Sequence, residues 1–451
     1  MSDQSNQLLD VDLLVIGGGM AGMTAAGYAA KQGRRVLVLE KGPAVGGSAG
    51  LSEGYVWTAP TLEALQLEDP RGNHELAGVV VSELAAGLDW VESLGVHVGA
   101  PLTEVLGFGA GRQIDVWEFM RACSALVEAS GGFVVTSAEV QELLADGSGI
   151  AGARVAQDGQ VEIGAAATLL ATGGFQGSRE LVRQHIRPEW EDVIVRSNQE
   201  SRGDGLRLGL AAGAAASEDM RGFYGHLMPW PLDRELTHSD YTGLAQYHSE
   251  HGILLNERGE RFVDESLGDH WCNEAVAAEP QVRALLLCDE RIRREEVMKP
   301  FVPGMQQGLD KFKDAGDAGA HYAEAATLEG LAPSLREWGY DGARAAATVR
   351  EFNELVERAP ETLAPGRRRL RRPVDAAPFI ALEVQPAITF TYGGLVTDDV
   401  GRVLRSDGSA IGGLFAAGAD QGGVYHRGYA GGLSRALVFG LRAARAATES
   451  L

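Results

Sequence analysis

Apolar and polar positions alternate in blocks along this chain, and the blocks set the elements. VDLLVI (11–16) is a short, β-branched run with no charge after Asp12, the pattern of a parallel strand buried on both faces. MTAAGYAAKQG (23–33) follows as a helix of small residues, and Gly33 supplies a left-handed stop. VLVLE (36–40) is a second strand. Apolar positions recur at helical spacing in ELAGVVVSELAAGLDWVESLG (75–95) and DVWEFMRACSALVEAS (115–130), so residues 74–130 are expected to be helical. Residues 133–170 alternate instead, with DG and GSG turn signals, as in a small β-meander. Helices are expected again at 275–300 and 340–358.

The turn between the first strand and helix carries the chemistry. Gly17, Gly19 and Gly22 form G-x-G-x-x-G there, and Glu40 ends the second strand. Gly17 permits the tight turn, Gly19 lets a pyrophosphate approach the backbone beside Met20 and Ala21, and Gly22 lets helix and strand pack closely. Glu40 is placed to accept ribose hydroxyls. Strand, glycines, helix, strand and acid in this order predict a Rossmann-like dinucleotide-binding domain. The next stretch, KGPAVGGSAG from Lys41 through Gly46, Gly47, Ser48 and Ala49 to Gly50, is a glycine-rich loop that suits FAD, whose flavin must reach past the pyrophosphate.

GGSAGLSEGYVWTA, with Trp57, resembles the loop after the ribose acid in the fumarate reductase, succinate dehydrogenase and 3-ketosteroid Δ1-dehydrogenase superfamily of flavoproteins, nearest the ketosteroid form. TLLATGGF (168–175) resembles its returning A-T-G-G strand, with Ala171, Thr172 and Gly173. SRGDGLRLGLAAGA (201–214) resembles its S-x-G-D-G helix start, with Asp204 near the FAD. LNERGERFVDE (255–265) and TYGGLVTD (391–398) resemble two further motifs, and RVLRSDGSAIGGLFAAGADQGGV (402–424) resembles the last strand, with Gly418, Ala419 and Asp420. The resemblance spans about residues 11–445. It implies an α/β fold: a Rossmann-like FAD-binding domain with a parallel sheet and small meander in residues 1–240 and 376–451, and an inserted α+β cap, residues 241–375, that closes over substrate. It also places Gly431, Gly432, Leu433 and Ser434 at the flavin, where a helix N-terminus would stabilise the reduced ring. Covalent members carry a histidine near the 46–50 loop; GGSAG has none, so non-covalent FAD is expected.

Composition narrows the setting. The chain has 451 residues, 60 of them glycine, and a net charge of −22. That charge argues against nucleic acid or an anionic membrane as partner. No apolar run approaches a bilayer span, and the N-terminal residues have no signal-peptide core, so a cytoplasmic place is expected. Cys123, Cys272 and Cys288 are far apart with no C-x-x-C, and the spacing of His238, His248 and His251 lacks carboxylate company, so no metal is expected. The basic run GRRRLRRP (366–373) reads as a solvated loop.

Relative to the fumarate reductase pattern, three cationic groups are replaced: Asp269 stands for a proton-delivering arginine, Thr389 and Phe390 for a carboxylate-binding histidine, and Tyr429 for a second arginine. Fumarate or succinate is therefore not the expected substrate. Tyrosines stand instead: Tyr392 within T-Y-G-G, Tyr425 and Tyr429 flanking His426 and Arg427, and Tyr241 and Tyr247 at the cap entry. A phenol can donate to a ketone oxygen or, as phenolate, remove the adjacent proton. The expected catalytic set is Tyr429, Tyr392, Tyr241, His226, His426 and Arg427. The ketosteroid tyrosine before T-x-G-G is absent, since Phe379 and Ile380 stand there, which argues against a true steroid enzyme. The expected reaction is FAD-dependent desaturation of a small carbonyl compound, a cyclic ketone, with electrons passing to oxygen, a quinone or a carrier protein. An ene-reductase, a tricarballylate-type organic-acid enzyme and a non-catalytic flavin-binding protein are the alternatives.

Overall fold

The computed structural model describes residues 9–156, 160–191, 193–232, 236–299 and 309–449. The chain divides into two compact units. The first comprises residues 1–186, 197–223 and 390–451; the second comprises 187–196 and 224–389.

The first unit is built on an eight-stranded sheet. Strand β1 (Leu9–Ile16) lies between β2 (Val36–Leu39) and the strand Gln160–Leu170, parallel to both. Val15 faces Val38 on one side and Leu169 on the other. A strand covered on both faces has no polar face to show, which is why VDLLVI reads as a continuous apolar run. The sheet continues through Phe133–Val135 at one side and Ala410–Ala416 and Arg402–Leu404 at the other. Glu139–Ala145 and Ile150–Ala156 add the antiparallel meander.

Helix α1 (Met20–Lys31) is rich in Ala and Gly so that neighbouring helices come close. A Cβ on Gly27 would lie 2.9 Å from Sγ of Cys123, in the helix Val116–Ala129, and one on Gly440, in the C-terminal helix Gly432–Glu449, would lie 2.7 Å from the Ala21 carbonyl oxygen. All three cysteines are buried free thiols, and burial pushes the Cys123 thiol up.

Within the stretch expected to be helical at 74–130, the helices His74–Glu92 and Val116–Ala129 are separated by a hairpin, Leu102–Val105 and Gly109–Gln113, which pairs with Tyr55–Thr58. The intervening residues, with Pro101 and three glycines between 107 and 111, cannot sustain a helix.

The second unit is α+β. Its five-stranded sheet runs Met228–Pro229, Phe379–Gln385, Ala284–Asp289 and Ile253–Leu255, with Tyr322–Ala325 also paired to Phe379–Gln385. Helices Leu328–Glu337 and Gly342–Arg358 contribute Leu331, Leu335, Val349 and Phe352 to its core. The helix expected at 275–300 holds only at its ends, in Asp269–Ala278 and the helical turns Glu290–Ile292 and Arg293–Val297, and is corrected in between: Ala284–Asp289 is a central strand, with Leu286 opposite Leu382. A run buried on both faces has no period by which helix and strand differ. The basic run is also not wholly solvated. Arg367 is buried and donates to Glu265 (2.9 Å) and to the carbonyls of Gly252 and Glu250, while Arg261 grips the same carboxylate. Among the described residues, no helix is long and apolar enough to cross a membrane, and no group of three or more His, Cys, Asp or Glu residues is placed to hold a metal ion.

Candidate active site

The glycine turn of the first unit is sterically obligatory. Gly17 has φ +108°, and a Cβ there would fall 2.2 Å from the Ala171 carbonyl oxygen; one on Gly22 would fall 1.9 Å from the Gly17 carbonyl oxygen. Gly19 differs, because a Cβ there would meet nothing within 4 Å. It also begins α1, whose N-terminus has no side-chain cap. Open space beside unclaimed helix N–H groups suits a diphosphate.

Glu40 closes the turn. Its two carboxylate oxygens accept from Gly18 N (2.7 Å) and Gly42 N (2.6 Å). A carboxylate has about four acceptor directions, so capacity for ribose hydroxyls remains. The 46–50 loop folds against this turn: Gly46 N donates to Gly18 O, and the Ser48 hydroxyl accepts from Asn198 N. The Trp117 indole lies over Gly46 and Gly50, where Cβ atoms would come within 3.1 and 2.8 Å of it.

Two acids expected near FAD hold the cradle together. Asp204 takes an ion pair from Lys41 at 2.7 Å. Buried Asp420 accepts from Thr172 N, the Thr172 hydroxyl and Gly174 N, at 2.5, 3.1 and 3.1 Å. Thr172 Oγ1 in turn accepts from Gly205 N. Ala171, Thr172 and Gly173 are thus tied to the 418–420 turn, which includes Ala419. Together these features fit FAD.

In the same unit an aromatic cluster surrounds the start of the C-terminal helix. Tyr392 packs between Phe390 and Tyr425, with centroids 5.7 and 5.9 Å apart, and Tyr429 packs on Trp57 and Phe390. The Tyr425 hydroxyl donates to the carbonyls of Ala430 and Gly431, Ser434 donates to Gly431 O, and the Tyr429 oxygen accepts from Gly432 N at 3.1 Å. Leu433 is the second residue of the helix. Burial pushes the Tyr429 phenol up to about 12, which favours a hydrogen-bond donor over a base at neutral pH. His426 and Arg427 are anchored through their backbone N–H groups to Asp69, and the His426 ring sits 3.1 Å from Asp219, whose carboxyl Arg221 holds well below the usual range.

The second unit contains a buried chain of three side chains. The Tyr224 hydroxyl lies 2.8 Å from His226 Nε2, and His226 Nδ1 makes a short contact with Asp269. All three residues are buried. Gly225 sets the pair: a Cβ there would fall 1.7 Å from the Ala387 carbonyl oxygen, so this backbone is pressed on its neighbour while Tyr224 and His226 meet, ring centroids 4.9 Å apart. Asn273 fixes Ala387 from both sides, accepting its N–H and donating to its carbonyl.

Burial pushes His226 down to about 4, against the pull of Asp269. Burial alone would raise Asp269, but the adjoining imidazole holds it well below the carboxylate range. The neutral ring therefore donates Nδ1–H to the Asp269 carboxylate, leaving the Nε2 lone pair facing the Tyr224 O–H. This is a phenol with a proton acceptor behind it.

Two cations lie beside this relay. Arg196 donates to the Tyr247 hydroxyl (3.0 Å), the Tyr241 carbonyl (2.9 Å) and the Thr389 hydroxyl (3.3 Å). Lys311 sits 5.0 Å from the Tyr247 ring centre, and burial lowers its ammonium to about 8. Tyr247 packs edge-on to His226 at 4.6 Å.

The structure thus gathers the expected cofactor residues in the first unit, with Tyr392, Tyr429, His426 and Arg427, while His226 and Tyr241 belong to the second. Tyr224, Arg196 and Lys311 were not singled out from sequence. Tyr-Gly-His at 224–226 was a local signal for the first; Arg196 and Lys311 are separated from the relay in sequence and had none.

A family model described as FAD binding domain matches residues 12–433. The chain is 26% identical to an NADH:fumarate oxidoreductase of Klebsiella pneumoniae (strain 342) over 97% of its own length, and it spans about half of that protein, 48%. It is 24% identical to a 4-oxocyclohexanecarboxylate 2-dehydrogenase of Sinomonas cyclohexanicum, covering 93% of this chain and 89% of that one. The solved structure of 3-ketosteroid delta1-dehydrogenase from Sterolibacterium denitrificans, in complex with 1,4-androstadiene-3,17-dione, superposes with a TM-score of 0.77 over 98% of this chain and 100% of the other, at 17% identity, a likeness of fold. With its cradle built for a dinucleotide and the family model spanning nearly the whole chain, this protein belongs to the FAD-binding 2 family and is a flavoprotein.

Proposed function

We propose that this chain interconverts CH–CH and C=C bonds next to a carbonyl, with desaturation of a small cyclic ketone as its reaction. The observation that carries this is the Tyr224–His226–Asp269 chain. Non-covalently bound FAD supplies hydride acceptance. Tyr224 removes the proton α to the carbonyl as its own proton passes to His226 Nε2, and Asp269 stabilises the imidazolium that forms. Tyr392 and Tyr429 serve as hydrogen-bond donors to the carbonyl oxygen as enolate charge develops, and burial holds Tyr429 protonated. His426 and Arg427 are assigned a supporting place beside them, and Tyr241 positions Arg196 through its carbonyl. Likeness to the Sinomonas dehydrogenase over most of both chains favours a cyclic ketone.

A second reading is reduction of an unsaturated organic acid. Arg196 and Lys311 favour it, since they bring two positive charges to Tyr247 beside the relay, as a carboxylate requires. Likeness to the Klebsiella fumarate enzyme agrees with it. The electron partner is oxygen, a quinone or a carrier, and the cytoplasm is the proposed place.

Anaerobic mixing separates the readings. Cyclohexanone-type ketones should bleach the oxidised flavin band and succinate should not. Pre-reduced enzyme that is reoxidised by fumarate but not by a cyclic enone, with no bleaching by any ketone, would overturn the ketone reading in favour of the acid.

A further inference from the structure

Arg435, the fourth residue of the C-terminal helix, is 1% exposed and heads the described side chains that are fully buried when these are ranked by volume. Its Nη2 donates to the Gly418 carbonyl at 2.8 Å. Its Nε and Nη1 are buried and meet no hydrogen-bond acceptor among the described residues. They are enclosed by aromatic rings instead: the guanidinium carbon lies 5.5 Å from the Phe390 ring centre and 5.7 Å from that of Tyr425. Among the described residues no carboxylate forms an ion pair with it. Asp420 acts on it at longer range, but its oxygens are already committed to Thr172 and Gly174.

A buried charge normally brings its counter-charge with it, because desolvation without one costs far more than aromatic contact returns. The location indicates where the counter-charge comes from. Gly418 abuts the first turn of α1, where a Cβ on Gly418 would lie 3.1 Å from the Ala21 Cβ. That turn is the uncapped end suited to the FAD diphosphate. Arg435 itself rises from the helix whose first residues are Gly432 and Leu433. The positive charge is therefore fixed inside the cofactor-binding unit, enclosed by aromatic rings with no ion-paired acid among the described residues.

We propose that Arg435 sets the redox poise of the bound FAD. Two electrons and one proton entering FAD leave one net negative charge on it, and a fixed cation in a medium of low polarity stabilises that charge through space. Arg435 is thus a positioning charge that does not take part in bond making. The inference needs FAD binding only, and stands apart from which substrate is used.

The test uses the purified holoprotein, R435M and R435K. The FAD reduction potential is measured by equilibration with a reference dye, and sulfite affinity by titration, since sulfite adds to oxidised flavin and places negative charge on its ring. The wild-type potential should lie above that of free FAD. R435M should bind sulfite at least tenfold more weakly and lower the potential by about 30 mV or more, the equivalent of tenfold for a two-electron couple. R435K should stay near wild type. An R435M protein that retains FAD with sulfite affinity changed by less than about tenfold and potential lowered by less than about 30 mV would overturn the assignment. So would weaker FAD affinity with an unchanged potential, which would make Arg435 a diphosphate anchor. If R435M does not retain FAD, wild type and R435K decide: a wild-type potential at or below that of free FAD overturns the proposal, and one above it that is matched by R435K upholds it.

Discussion

The hydroxyl of Tyr224 and Nε2 of His226, two residues apart, stand 2.8 Å from each other on either side of a glycine that no other residue could replace. The contact orients a phenol against a lone pair that Asp269 has fixed from behind. A resting Tyr224 is thus a protonated acid with an outlet for its proton.

Tyr224→Phe removes the proton carrier and leaves the His226–Asp269 contact. FAD content and thermal stability should change little, while the reductive half-reaction slows by roughly 10²–10⁴. Stopped-flow flavin bleaching measures this. A variant reduced at the wild-type rate would remove Tyr224 from the mechanism.

His226 also predicts how stability depends on pH. Its folded value is depressed to about 4, from 6.5 in the unfolded chain. Between those values the unfolded state binds a proton that the folded state refuses, so this group's contribution is complete above pH 6.5 and is lost as pH falls toward 4. The span corresponds to about 3 kcal/mol. Asp269, held low, loses its contribution further into acid. Glu250, raised to about 7 by burial, works in the opposite direction, its contribution fading as pH rises from 4.5 to 7. The difference between wild type and His226→Gln isolates the histidine. Denaturant melts at pH 4.5 and 7 should show a steeper loss in wild type than in the variant, and parallel losses would contradict a buried neutral ring.

Gly22→Ala places a methyl group 1.9 Å from the Gly17 carbonyl oxygen, a backbone atom that cannot step aside. Destabilisation of about 1–3 kcal/mol and loss of bound FAD are expected. In the wild type, acid or heat should release intact FAD, read by absorbance after filtration. Yellow colour remaining on the denatured polypeptide would refute non-covalent binding.

Tyr392→Phe and Tyr429→Phe test the carbonyl-side donors. A donor to developing enolate charge should slow flavin reduction about 10-fold or more without shifting the pH profile, because burial keeps the Tyr429 phenol protonated up to about 12. Loss of a pH limb in either variant would make that tyrosine the base in place of Tyr224.

The cofactor half of the fold was legible because its signals are local and steric. Gly17, Gly19, Gly22 and Glu40 lie within 24 residues; backbone contacts demand glycine at 17 and 22, and Gly19 leaves open space at the helix start. The chemistry-bearing half was not. Asp269 was visible only as a missing arginine, because its partner His226 is 43 residues away and their meeting depends on how Ala387 is pinned by Asn273. Thr389 stood out only as a missing histidine, and its bond to Arg196 spans 193 residues. Full burial of Ala284–Asp289 removes the alternation by which a strand differs from a helix in sequence.

Asp420 has a consequence for synthesis. Thr172 and Gly174 find their partner 246 or more residues later, and the parallel neighbour of the Gln160–Leu170 strand, Ala410–Ala416, is made just before it. While the nascent chain is shorter than about 420 residues, that strand has an open edge and the second turn of the cradle has unsatisfied amides. Nascent chains that stop short of residue 420 should therefore hold no flavin, and the emergence of residues 410–420 should convert an open sheet edge into a closed, cofactor-competent unit in one late step.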